Sequence, residues 1–198
     1  MTAVAALYSG GRDSTLAALL LASFYDVTLC SCTFGVEPLA EYARPGADAL
    51  GLSLETIALE ESVAREATER MVADGYPRRG IQRVHEHALE TVAAATDAGA
   101  VADGTRRDDR VPVVDRSTAR SLEDRRGIDY LRPLAGYGRG AVDDLAAREL
   151  VVETGPSERL QTGDYETELR SLLAAEHDLA AVDEIFPEHV QSRVVDRA

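Results

Sequence analysis

The chain has 198 residues, 45% hydrophobic and 28% charged, which is enough to bury the core of one α/β domain and too apolar for wholesale disorder. Thirty-five acidic residues outweigh 21 basic ones to give a charge of −14, and every basic residue is arginine. A phosphate loop of the Gly-Lys type and Schiff-base lysine chemistry are therefore excluded. Ala3–Tyr8 reads as an apolar strand running into a glycine-rich turn, and Asp13–Phe24, with Leu16, Leu19 and Leu20 at helical spacing, as the first helix. Asp26–Phe34 reads as a second strand, Glu37–Leu50 as a helix broken or restarted at Pro45, and Ser53–Leu59 as a third strand. Helices are expected over Ser62–Asp74 and Ile81–Thr96, followed by a short fourth strand, Ala100–Asp103. Arg116–Arg126 reads as a polar helix, Ile128–Leu134 as a fifth strand and Ala141–Leu150 as a helix. The tail is expected to be helical over Asp164–Ala175 and Leu179–Arg197, with a restart at Pro187. Strands alternating with helices predict a parallel sheet covered on both faces.

The segment with the most chemistry is Ser9-Gly10-Gly11-Arg12-Asp13-Ser14-Thr15, between the first strand and the first helix. Two glycines let the backbone turn tightly and aim successive N–H groups at an anion. Ser14 and Thr15 fall at a helix N-terminus, where unsatisfied donors and the dipole favour negative charge. Asp13 suits a Mg²⁺ ion beside a pyrophosphate; the plainer alternative is an N-cap after a tight turn.

Ser9-Gly10-Gly11-Arg12-Asp13-Ser14 resembles Ser-Gly-Gly-x-Asp-Ser, the signature of the PP-loop ATP pyrophosphatase superfamily (adenine nucleotide alpha hydrolases). The resemblance implies a Rossmann-like, HUP-type, five-stranded parallel sheet of order 3-2-1-4-5, here with a helical C-terminal extension. It implies cleavage of ATP between the α and β phosphates, adenylation of a substrate oxygen, and displacement of AMP by a nitrogen or sulfur nucleophile. The cofactors implied are ATP and Mg²⁺. Ser9, Gly10, Gly11, Arg12, Asp13 and Ser14 would bind ATP, with Asp13 also holding the metal. The nucleotide-binding domain would span residues 1–150, and the extension, packed on it, 151–198.

Asp103-Gly104-Thr105-Arg106-Arg107-Asp108-Asp109-Arg110 follows the fourth strand, where superfamily members often carry a glycine-to-aspartate segment near the nucleotide. Asp108 or Asp109 could complete the Mg²⁺ site, and Arg106, Arg107 or Arg110 could neutralise pyrophosphate; a solvated loop is the alternative. Backbone at Thr33–Phe34 and at Gly104 would flank the adenosine, since ligands bind outside the carboxyl ends of such strands. Leu131-Arg132-Pro133-Leu134 is similar to a segment of tRNA-thiolating and lysidine-forming members. Arg132 is the expected phosphate-facing catalytic cation, with an internal ion pair as its alternative.

As a whole, the chain resembles short archaeal stand-alone PP-loop proteins described as subunits of tRNA 2-thiouridine modification enzymes. Arg78 and Arg79 beside Tyr76 could grip a nucleic-acid phosphate or an acidic substrate, or lie in an exposed connection. The partners expected are ATP, a tRNA or small carboxylate or amide, a sulfur donor or partner subunit, and a second copy of the chain. The acid excess without lysine resembles proteins of salt-accumulating halophiles, in which salt screens self-repulsion.

Other signals are demoted. Cys30 and Cys32 point to one face of a strand and read as buried packing; the Cys-x-x-Cys pair common among tRNA thiolases is absent, and two thiols cannot hold a four-thiolate cluster. His85 and His87 do not share a helical face and so make no metal pair. His177 and His189 have no evident partner, Gly136-x-Gly-x-Gly140 lacks dinucleotide spacing, and no general base is identifiable. An apolar strip, Leu169, Leu172, Leu173, Leu179, Val182, Ile185, Val190 and Val194, is expected to close the sheet edge or make a dimer contact. No apolar run approaches the roughly 18–20 residues of a membrane span, and no basic leader precedes Tyr8, so a cytoplasmic protein is expected. A nucleotide-binding module without turnover and an ammonia-dependent amide synthetase are the competing readings.

Overall fold

The computed structural model describes residues 1–177 and 179–198, with the Leu179 side chain also outside the description. β1 (Ala3–Leu7) lies at the centre, flanked by β2 (Asp26–Thr33) and β4 (Ala100–Ala102), with β3 (Ser53–Ala58) and β5 (Asp129–Leu131) at the edges. All pairings are parallel, so the order is β3-β2-β1-β4-β5, the one the resemblance implies. Switching direction from β1 to β2 and from β1 to β4 opens a crevice at the carboxyl ends of these strands.

Strand alternation divides the core. Val4, Ala6, Val27 and Leu29 pack toward α1 (Arg12–Leu21) and α2 (Leu39–Leu50). Ala5, Leu7, Cys30, Cys32 and Val101 face α3 (Glu61–Asp74), α4 (Arg78–Ala95) and α7 (Tyr165–Glu176). α2 runs through Pro45 without the expected break, because Leu39, Ala43, Gly46 and Ala47 bury one continuous stripe across it. The fifth strand stops at Leu131; Pro133 has no N–H to continue a ladder and instead opens a 3-10 turn, Pro133–Gly136. The polar helix is α5 (Arg116–Arg126), and α6 (Arg139–Glu149) follows the turn.

The tail departs from its helical expectation. After α7 and the short α8 (Leu179–Ile185), Val190–Arg197 forms strand β7, antiparallel to an unanticipated strand, β6 (Leu150–Pro156). β-branched Val151 and Val152 face Val194 and its neighbours across the ladder, and Val194, wholly buried, joins Leu16, Leu134 and Val142 beneath α1. The strip therefore seals the inside of the molecule at Leu169, Leu173 and Val194. Among the described residues, no helix is long and apolar enough to cross a membrane.

Candidate active site

The loop after β1 is shaped from within and from a distance. Gly10 has φ of 70°, and a Cβ on it would stand 2.7 Å from the Ala43 Cα, so only glycine fits the turn. The hydroxyls of Ser9 and Ser14 lie 3.2 Å apart, and that of Ser14 donates to the Gly11 carbonyl. The tail fixes the outside: Val194 N–H donates to the Gly10 carbonyl, Gly163 N–H to that of Ser9, and Arg12 N–H to the Ser192 hydroxyl. The cap of α1 at Gly11 has no side-chain hydrogen bond, and among the described residues no acceptor meets the N–H groups of Asp13 and Ser14. These donors are available to an anion.

Asp13 sits between two guanidinium groups, Arg12 at 2.8 Å and Arg106 at 3.4 Å. Arg106 also meets Asp109 at 3.0 Å and Asp108 at 3.7 Å. Burial works to lower its pKa, but Asp13, Asp109 and Asp108 outweigh burial and raise it, so it remains a cation. The two expected metal ligands thus share one cation position, filled by arginine. With phosphate oxygens they would make the one or two carboxylate ligands that Mg²⁺ usually takes, and in that sense they fit. The described residues hold no cluster of three or more His, Cys, Asp or Glu arranged for a metal ion.

Arg132, expected as a phosphate-facing cation, is engaged with the loop after β4. Its guanidinium donates to the Thr105 hydroxyl at 3.0 Å and to the carbonyls of Val114 and Arg106. It clamps the loop after β4, and the arginine that reaches the phosphate loop is Arg106. Thr33 and Phe34 are corrected in part, because the Thr33 hydroxyl and Phe34 N–H are already taken by Glu168 of α7, at 2.7 and 2.8 Å. Gly104 lines the cavity described next, and a Cβ there would stand 2.8 Å from the Ser14 nitrogen. Arg78 donates to the Arg110 carbonyl and Arg79 pairs with Asp74, both on an exposed face outside that cavity. Arg107 is exposed.

A cavity of about 200 Å³ opens beside the loop, lined by Ser9, Asp13 and Ser14 together with His85, Asp103, Asp164 and Tyr165. It is smaller than the roughly 300 Å³ at which small-molecule sites begin, so a whole nucleotide would extend from it across the open loop. Asp103, at the end of β4, accepts from His85 Nε2 at 2.9 Å, from the Tyr130 hydroxyl at 2.7 Å, and from both the N–H and hydroxyl of Thr105. Burial alone would raise its pKa, but the bonds and charge of His85, with Thr105 and Tyr130, more than reverse this and lower it. Tyr130 is raised by burial and by Asp103. Asp164 caps α7 through Glu166 N–H and is raised to about 6 by burial, then by Glu166. Cys30 and Cys32 form part of the wall as buried thiols; burial, with Glu55 as the smaller cause, pushes Cys30 up to about 12.

His85, Asp103, Asp164 and Tyr165 were not anticipated as site residues. Asp103 precedes the glycine at the end of β4, a position that could have signalled it. His85 could not be found from helical spacing, because its partners lie on β4 and α7.

A model of the family described as "Family of unknown function (DUF7411)" matches residues 1–196. An uncharacterised protein of Methanocaldococcus jannaschii is 37% identical over 190 residues, covering 96% of this chain and 93% of that one. A crystal structure described as a predicted subunit of tRNA methyltransferase, from Methanocaldococcus jannaschii, matches with a TM-score of 0.89 and 36% identity, covering 100% of this chain and 98% of that one. The U34-tRNA thiolase NcsA of Methanococcus maripaludis, solved with its 4Fe-4S cluster, matches with a TM-score of 0.52 and 15% identity over 93% of this chain and 70% of its own, a likeness of fold. This chain has two cysteines, both buried on β2, and so lacks the donor set for such a cluster.

Proposed function

The chain belongs to the DUF7411 family, and on that footing we propose that it is an ATP-dependent adenylating enzyme that acts in tRNA modification. The reading is carried by the loop Ser9–Ser14, whose open first-turn N–H groups and paired hydroxyls border a cavity that acid–base residues also line. The tRNA assignment draws support from the two structural relatives, one described as a predicted subunit of tRNA methyltransferase and one as a tRNA thiolase.

In this reading the loop N–H groups and the hydroxyls of Ser9 and Ser14 hold the pyrophosphate, while Arg106 neutralises charge released toward it. Mg²⁺ would be held by Asp13 and Asp109 once Arg106 has turned from them to the phosphates, and would supply charge stabilisation there. Arg132 keeps the loop of Arg106 in place. The chemistry rests on positioning and leaving-group stabilisation: a carbonyl oxygen is adenylated, and a nitrogen or sulfur nucleophile then displaces AMP.

A second reading, a nucleotide-binding subunit without turnover, draws on Arg106 occupying the space between Asp13 and Asp109. AMP and pyrophosphate release from labelled ATP, with magnesium and tRNA at low and high salt, separates the two. The wild type is expected to release both, and Asp13→Ala to lower turnover on the order of 100-fold or more. Nucleotide binding without cleavage in every condition would favour the module; an Asp13→Ala protein equal to wild type in affinity and turnover would sink both.

A further inference from the structure

The lining of the cavity contains a hydrogen-bonded chain that the adenylation step does not use. Asp103 Oδ2 lies 2.9 Å from His85 Nε2, and His85 Nδ1 lies 2.8 Å from the Tyr165 hydroxyl. Asp103 is 2% exposed and His85 5%, so the imidazole is oriented by a carboxylate out of reach of bulk water. A carboxylate only accepts, which fixes the proton of the neutral ring on Nε2. Nδ1 is then an acceptor, and Tyr165 donates to it. His85 and Tyr165 both line the cavity that the phosphate loop borders.

Resting on the adenylation reading, we propose that the Asp103–His85–Tyr165 chain is the proton acceptor for a nitrogen nucleophile, ammonia or a primary amine, that displaces AMP in this cavity. The presence of a base selects nitrogen over sulfur. A neutral amine that attacks carbon must shed a proton, whereas a hydrosulfide or persulfide arrives as an anion and needs no such base.

The step balances as follows. The nitrogen lone pair forms the new C–N bond, and the C–O bond to AMP breaks with its electron pair leaving on the phosphate. The surplus proton on nitrogen passes to the Tyr165 oxygen as the tyrosine's own proton moves to His85 Nδ1. The imidazolium so formed is held by the Asp103 carboxylate, and its proton returns to water after the product leaves. Tyr165 acts only as a neutral relay, since burial, Asp164 and Asp103 all oppose its phenolate.

The test uses the full chain with Mg·ATP and total tRNA from cells lacking the protein, supplied with either ¹⁵N-ammonium chloride or ³⁴S-sulfide. Mass spectrometry of nucleosides should show ¹⁵N incorporated and ³⁴S absent; the reverse overturns the proposal. Pyrophosphate release and nitrogen transfer are followed separately. His85→Asn and Tyr165→Phe should each slow transfer on the order of 100-fold, at least ten times more than they slow pyrophosphate release. Equal slowing of both steps would make the chain merely structural and overturn the proposal.

If the wild type releases no pyrophosphate, the adenylation reading fails instead. The relay geometry is then still decided by ¹⁵N resonances of His85, with a proton on Nε2 expected and one on Nδ1 in the neutral ring contradicting it.

Discussion

The carboxylate of Glu168 accepts the hydroxyl of Thr33 at 2.7 Å across a sequence separation of 135 residues. The same carboxylate receives the N–H groups of Phe34, Val36 and Glu37. An anion supplied by α7 therefore fills the nest of donors after β2. Glu168 is fully buried, so its desolvation is offset only by these bonds. Glu168→Ala is expected to cost about 3 kcal/mol or more, and Glu168→Gln roughly half as much, because an amide oxygen can still accept. Urea unfolding measures both; a change within about 0.5 kcal/mol for the alanine variant would show the nest to be dispensable.

Asp164 makes stability depend on pH in a direction opposite to most salt-bridged acids. Its pKa is about 6 in the fold against 3.8 in the unfolded chain, so the folded state holds the proton more tightly. Its contribution to stability is complete below the unfolded value and is lost as pH rises through about 6. Asp164→Asn retains an acceptor for Glu166 N–H without the charge. The variant's stability relative to wild type should therefore rise between pH 4 and pH 7, as read from denaturation midpoints across that range. A difference constant over the range would contradict the assignment.

Cys30 and Cys32 are expected to be poor nucleophiles while the chain is folded. Burial raises both thiols, Cys30 to about 12 and Cys32 beyond it, with Cys30 itself a minor cause for Cys32. Thiolate is the reactive form. Iodoacetamide near neutral pH should leave both unmodified in the native protein and alkylate both in urea, as followed by mass spectrometry. Native labelling at the unfolded rate would place a reactive thiolate in the cavity wall.

The sheet was legible because the central strands are short apolar runs closed by a breaker, as β2 is at Gly35, and because the phosphate loop is contiguous in sequence. What escaped was whatever depended on contacts between distant segments. The tail was read as helix from its spacing of apolar residues, yet Val194 enters the core as one residue of a strand pair. Arg132 carries the right charge at the right strand end, but the carbonyls of Val114 and Arg106 come to it once the loop folds back. His85 is one of two histidines on α4, and only the meeting of β4 and α7 around it distinguishes it from His87, which donates no ring to the cavity.

The hydrogen bond from Val194 to the Gly10 carbonyl ties the shape of the first turn to a strand distant in sequence. The glycine turn is contiguous in the chain, yet its outer side is held by β7, which is itself held by β6. Damage to that remote ribbon should therefore loosen the turn while leaving all of its own residues in place.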